Sequence, residues 1–148
     1  MSTLWRCLAS LFFLGYFPFA PGSLATLFAA VCWWFLPSSL TFTFFLLPLS
    51  TLFSVLITQQ AENSFGQKDD QRIVLDEFVG FLWTMAFLPK KLSLVIIGII
   101  LFRIFDIGKR PLIHKLQRCP GGWGIVADDI LAGIFANIIL QIMKFCFK

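Results

Sequence analysis

Apolar residues fill this chain in long blocks separated by short polar or proline-rich interruptions, and the blocks have helical rather than strand lengths. The first runs from Leu4 to about Leu36 and is broken by Phe17-Pro18-Phe19-Ala20-Pro21-Gly22-Ser23. Two prolines and a glycine do not continue a helix. Irregular backbone at membrane depth survives only where protein buries it or water reaches it, so this break is expected to line a site. Ser23 reads either as the cap of a helix from Leu24 to Leu36 or as a hydroxyl aimed into that site. A turn at Pro37-Ser38-Ser39 leads to a second block, Leu40 to Thr58, with Pro48 inside it as a candidate kink. At ~1.5 Å rise per residue this block crosses most of a ~30 Å hydrocarbon core. Gln59 to Arg72 reads as a helix end followed by a polar loop. Two shorter blocks, Ile73 to Leu88 and Leu92 to Phe105, flank Pro89-Lys90-Lys91. A more polar stretch from Gly108 to Gly124 holds Pro111, Pro120 and a glycine pair, and the last block spans Ile125 to Phe145.

Composition turns these helices into membrane helices. Of the 148 residues 58% are hydrophobic and 14% charged, with a mean hydropathy of +0.84. Soluble domains carry about 25% charged residues. The 19 Phe and five Trp supply more apolar surface than so small a core can bury. The expectation is one domain over residues 1–148, an all-α fold, as a small polytopic membrane helix bundle with a broken N-terminal helix. Arg6 followed by Leu8 to Phe17 has the look of a signal peptide. The small-residue triplets at Ala20-Pro21-Gly22 and Ser23-Leu24-Ala25 nevertheless lead into more apolar chain, so the segment is read as a retained helix.

The net charge of +4 is scattered, with no basic stripe or aromatic platform, which argues against a nucleic-acid partner. Cys7, Cys32, Cys119 and Cys146 form no C-x-x-C pair and His114 is the sole histidine, so neither zinc nor an iron–sulfur cluster is expected. Cys7, Cys32 and Cys146 read as packing residues, and His114 as structural. Loops at 59–77 and 103–129 hold Lys68, Arg72, Arg103, Lys109, Arg110, Lys115 and Arg118. The opposite side holds Lys90, Lys91, Lys144 and Lys148, with Arg6 unassigned. The positive-inside rule puts the first group in the cytoplasm.

Every carboxylate falls on that same side: Glu62, Asp69, Asp70, Asp76, Glu77, Asp106, Asp128 and Asp129. Asp76-Glu77 and Asp128-Asp129 are each expected to begin a helix. Gly80 and Thr84 share the Asp76 face, Ala132 and Ala136 the Asp128 face, and Gly133 and Asn137 the Asp129 face. Strips of small residues draw helices together in lipid, which would bring the acidic pairs near one another. Four converging carboxylates repel unless a cation joins them, and Mg²⁺ matches hard oxygen ligands. The plainer reading is that the acids complement helix dipoles. Arg103, Asp106 and Lys109 or Arg110 form one polar face, able to bind phosphate oxygens with Asp106 orienting Arg103 or adding a metal ligand. Snorkelling plus a surface ion pair would give the same spacing. Gly121-Gly122-Trp123-Gly124 could offer backbone N–H groups to an anion or be a turn. No D-x-D nucleophile motif, C-x5-R loop, histidine pair or head-group-transferase pattern is present, which leaves metal-assisted hydrolysis.

Four blocks, in this order, resemble the bacterial phosphatidylglycerophosphatase A family: Ala20-Pro21-Gly22-Ser23; Ile73 to Gly80 with its D-E-x-x-G; Phe102-Arg103-Ile104-Phe105-Asp106; and Gly121 to Gly133 with its G-G-x-G-x-x-x-D-D-x-x-A-G. The resemblance covers about Gly15 to Ala136. It implies a Mg²⁺-dependent phosphomonoesterase of the bacterial inner membrane that converts phosphatidylglycerophosphate to phosphatidylglycerol; the lysine and arginine distribution adds that the site faces the cytoplasm. Asp76, Glu77, Asp128 and Asp129 fall on the acidic motif positions, Arg103 and Asp106 on the F-R-x-x-D block, and Lys109 on the lysine after it. Glu62 and Asp69 fall in a less regular polar segment. Ser23 stands where the family usually has Thr, and Arg110 to Arg118 departs from the family's K-P-x-P-I run ending in D-R. The mechanism expected has Asp76, Glu77, Asp128 and Asp129 holding Mg²⁺, Arg103 and Lys109 clamping the phosphate, and Asp106 or Glu62 taking a proton from water. Ser23 is the candidate covalent nucleophile. The rival readings are a small ion or proton transporter, which would spread its acids through the membrane depth, and a non-catalytic assembly subunit that binds partner helices through its small-residue strips.

Overall fold

The computed structural model describes residues 2–67, 70–108 and 122–146, and these are all-helical. In chain order the elements are α1 (Ser2–Ala9), a single 3₁₀ turn (Leu14–Tyr16), α2 (Pro21–Phe35), α3 (Leu40–Phe65), α4 (Leu75–Thr84), α5 (Leu92–Gly108) and α6 (Trp123–Cys146).

The break in the N-terminal block begins earlier than the one expected at residues 17–23: α1 ends at Ala9, ahead of both prolines. Leu11, Phe12 and Phe13 take φ values of 49°, 57° and 69° in succession. Left-handed backbone costs roughly 1–2 kcal/mol per L-residue, so neighbouring contacts must hold it. Ser10 supplies two of them. Its Oγ accepts from the Phe13 N–H at 3.1 Å, and its carbonyl accepts from the Gly15 N–H at 2.9 Å. Gly15 lies so close to the Arg72 carbonyl that a Cβ would have no room. Ala20, at φ 44°, then sets up Pro21 as the first residue of α2, where a missing N–H costs nothing. The expected cap at Ser23 is thereby corrected. Ser23 lies inside the first turn, its N–H bonding to the Ala20 carbonyl at 3.0 Å, and no side chain caps α2. The proline at N1 starts the helix three residues earlier than the Leu24 start read from the sequence.

α3 is capped by Ser39, whose Oγ accepts from the Phe42 N–H at 3.1 Å. It passes through Pro48, runs on beyond Thr58, and stops at Gly66, whose φ of 71° needs glycine's freedom. α1 lies along its end: Ala9, Ala61 and Ile73 form a small buried cluster, and Arg6 donates to the Ser64 carbonyl. The Val74 N–H bonds to the Ala9 carbonyl at 3.0 Å, tying the start of α4 to the end of α1.

The main core lies between α2, α4, α5 and α6, around Phe81, Met85, Phe102, Ala132, Ala136 and Leu140. Phe81 and Phe102 meet edge to face at 6.1 Å. α4 and α6 form the closest seam. A Cβ on Gly133 would run into the Gly80 carbonyl, and one on Gly80 would lie 2.8 Å from both the Asp129 carbonyl and the Phe102 ring. The small residues on the Asp76 and Asp129 faces therefore do draw these helices together. Asn137, read as another member of the strip, does something further. Its Nδ2 donates to the carbonyls of Thr84 and Ala86 at 2.8 and 2.9 Å, and Gln141 Nε2 adds a bond to Ala86 at 3.1 Å. These close the C-terminal end of α4.

α3 and the Trp123–Phe145 stretch of α6 are long and apolar enough to cross a membrane. Along α3, Phe44, Phe45, Leu49, Leu52, Phe53 and Leu56 point outward and are exposed.

Candidate active site

All the described carboxylates sit at the end of the bundle formed by the tail of α3, the start of α4, the tail of α5 and the start of α6, or in the loop entering α4. Asp76 and Glu77 occupy the first turn of α4, as their position before an apolar run suggests. Asp128 and Asp129 do not begin α6, contrary to expectation. The helix already starts at Trp123 and has no acid in its first turn. The reason is Gly122. Its N–H bonds to Gln59 Oε1 at 3.0 Å, and a Cβ there would lie 2.5 Å from the Val55 carbonyl. The glycine thus seats the chain against α3, and the helix starts at once.

The Gly80–Gly133 crossing delivers Asp129 to the first turn of α4. One oxygen each from Asp76, Glu77 and Asp129 lies within 4.8 Å of the others. Asp76 and Asp129 are buried, and Glu77 is partly covered with its Oε2 fully enclosed. That Oε2 accepts no hydrogen bond among the described residues. Asp129 and Asp106 both bear on Glu77 as like charges. Mg²⁺ holds oxygens at 2.0–2.1 Å, so two opposite ligands stand about 4.2 Å apart. The three oxygens, all within 4.8 Å of one another, fall in the range of that spacing. All-oxygen donors, near-correct spacing and an excess of negative charge sheltered from water are what a small divalent cation offsets. The residues fit such an ion.

Asp128, adjacent to Asp129 and also buried, stands outside the group of three. Neighbours on a helix point about 100° apart, so both cannot aim at one ion by the same route. Asp76 and Glu77 manage it because glutamate is one methylene longer. Glu62 is half-buried in the last turn of α3 and is not in the group either. Lys109, Asp69 and His114 lie outside the described residues.

Arg103 and Asp106, one turn apart near the end of α5, are joined at 2.5 Å. Arg103 Nε is buried with no hydrogen-bond partner among the described residues. Gly22 brings this pair to the acids. A Cβ there would overlap Glu77 Oε1 and lie 3.1 Å from Arg103 Nη1. The first turn of α2 therefore forms a wall against both the acid cluster and the guanidinium, with Ser23 next in that turn. The proline-rich break does line the site, and Gly22 is the residue sequence reasoning passed over. The available signal was a Pro-Gly pair opening an otherwise apolar helix, where glycine costs stability unless something approaches closely.

A second missed device is the loop entering α4. Asp70 accepts from Arg72 Nε at 2.8 Å and Nη2 at 2.6 Å, and from its backbone N–H at 3.0 Å. The guanidinium lies over Phe65, 4.2 Å from the ring centre, and beside Tyr16. This hydrogen bonding holds the Asp70 carboxyl below the ordinary carboxylate range, against the opposing effect of burial.

A family model described as phosphatidylglycerophosphatase A matches residues 7–144. A protein named "Phosphatidylglycerophosphatase A" from Escherichia coli is 35% identical over 95% of this chain and 83% of its own length. One of the same name from Haemophilus influenzae is 32% identical over 85% and 80%. A Bacteroides thetaiotaomicron protein named "Putative phosphatidylinositol-3-phosphatase" is 33% identical over 88% and 87%. No solved structure matches.

Proposed function

Because the chain belongs to the phosphatidylglycerophosphatase A family and is a phosphatase, we propose that it removes the terminal phosphate of phosphatidylglycerophosphate, with Mg²⁺ bound, at a membrane surface. The observation that carries this reading is the convergence of Asp76, Glu77 and Asp129 beside Arg103. These three carboxylates would hold the ion, with Asp128 as a further candidate beside them. When bound, a divalent cation supplies positive charge against the phosphate and makes a water molecule more acidic.

The chain's own residues divide the remaining work. Arg103 places guanidinium N–H groups on the phosphate oxygens, where negative charge is greatest as the P–O bond breaks. Asp106 fixes Arg103 in that pose through their ion pair, and Lys109 adds a second clamp. Glu62 and Asp106 are the candidates to take the proton of the attacking water, whose oxygen ends on phosphorus while the glycerol oxygen leaves with a proton. Ser23, in the first turn of α2, would orient the head group or attack phosphorus directly. Gly22 keeps the wall low enough for the phosphate to reach Glu77's neighbours.

The membrane part of the proposal is a multi-pass bundle in the bacterial inner membrane with the acidic end in the cytoplasm. Two long apolar helices, outward-facing phenylalanines along α3 and the distribution of lysine and arginine support it.

Phosphate release from purified protein, with phosphatidylglycerophosphate, phosphatidic acid and phosphatidylinositol 3-phosphate in parallel, tests the reading. The expected result is turnover of the first that stops on chelation and returns with Mg²⁺. An undiminished rate in excess chelator would remove the metal site. Preference for the inositol lipid would align the enzyme with the Bacteroides relative's name instead.

A further inference from the structure

The far end of the bundle holds a cavity of about 400 Å³, open between the C-terminal ends of α2, α4 and α6 and the start of α3. Trp33, Ser38, Thr43, Phe87, Lys90 and Lys144 contribute to its walls, and no acid among the described residues does. Lys90 is held in place: its Nζ donates to the carbonyls of Trp34 and Leu36 at 2.6 and 2.5 Å, closing the end of α2. Lys144 is exposed and completes a second cationic position on the same cavity. Phe87 takes a left-handed φ of 59°. Bulky residues resist that conformation, and it leaves the ring 45% exposed at the rim beside Leu40, which is 72% exposed.

Two lysines in a wall lined with hydroxyls, under a rim of exposed apolar side chains, match a ligand with an anionic head and greasy tails. We propose that this cavity binds the phosphodiester head group of an anionic phospholipid from the leaflet opposite the catalytic one. The proposal rests on the membrane reading above but not on the catalytic one. Free phosphate shares the head chemistry, yet it would leave the apolar rim unused. A lipid seated there would brace the loop between α4 and α5 against the end of α2.

The test uses the full chain in a neutral detergent, titrated with phosphatidylglycerol, phosphatidylcholine or inorganic phosphate, read by native mass spectrometry and by thermal unfolding. Phosphatidylglycerol should be retained about tenfold more tightly than phosphatidylcholine and should raise Tm. Lys144→Glu should erase that preference and leave kcat for phosphate release unchanged. Lys144→Gln, with helicity checked by circular dichroism, serves if the charge reversal misfolds, and should weaken the preference part way. Equal retention of both lipids by the native chain, full preference in both variants, or stabilisation by inorganic phosphate equal to that by phosphatidylglycerol would each overturn the proposal. Flotation with vesicles reports the membrane reading separately, and phosphate release reports the catalytic one.

Discussion

The two ends of α4 meet α6 in opposite ways. At the C-terminal end, Asn137 and Gln141 donate into the carbonyls that helix termination leaves open. At the N-terminal end the same pair of helices presses Asp76, Glu77 and Asp129 into one small volume. One seam thus closes hydrogen bonds at one end and forces like charges together at the other. The satisfied carbonyls lie where Asn137 sits, and the cost of burying acids falls where the chemistry is proposed.

Substitutions at the two ends should therefore separate activity from folding. The largest effect is expected at the acids. Asp76→Asn and Asp129→Asn should each cut phosphate release by more than about 10²-fold while the helical content seen by circular dichroism is kept. Near-native turnover in both would break the contrast outright. Gly22→Ala comes next. Displacing Glu77 and Arg103 by even an ångström should cost about 10- to 10²-fold in kcat/KM with little change in Tm. Gly80→Ala acts on the seam itself. Forcing a methyl between the Asp129 carbonyl and Phe102 should cost about 1–3 kcal/mol of stability and spread the carboxylates, so both Tm and rate fall. Asn137→Ala should do the reverse of the acid variants, losing about 1–3 kcal/mol as the Thr84 carbonyl loses its side-chain donor and Ala86 keeps only Gln141, while activity per folded molecule persists. The smallest effect belongs to the Asp70–Arg72 clasp, which lies off the seam. Asp70 has a lowered pKa in the folded chain, so its contribution is present above the unfolded value of about 3.9 and fades as pH falls through the folded value. Asp70→Asn should flatten the acid limb of a Tm-against-pH profile. It should leave Tm near pH 8 only slightly lower, since Arg72 is partly exposed and its pairing is screened.

Much of the helical layout was legible because apolar blocks and their breakers are local signals. The blocks at 40–58, 73–88, 92–105 and 125–145 each contain a helix, and the start at Asp76-Glu77 followed from acids preceding an apolar run. Where the reading slipped, the cause was tertiary. Ser23 looked like a cap because hydroxyls cap helices, but Pro21 began the helix first. Asp128-Asp129 looked like a helix start because an apolar run follows them, but Gly122 approaches α3 and the helix begins at Trp123. The meeting of the acidic pairs was foreseeable from Gly80 and Gly133. The sorting of Asp129 into the cluster and Asp128 out of it was not, because a sequence strip shows which residues share a face and not which of two adjacent acids the partner helix sees. Gly22 against Glu77 was equally hidden, since the two lie far apart along the chain.

The contact of Gly80 with Gly133 sets main chain on main chain, so no side-chain exchange can narrow the gap between Asp129 and the first turn of α4. The spacing of the acidic cleft is therefore set by backbone, and changing it would mean rebuilding that crossing.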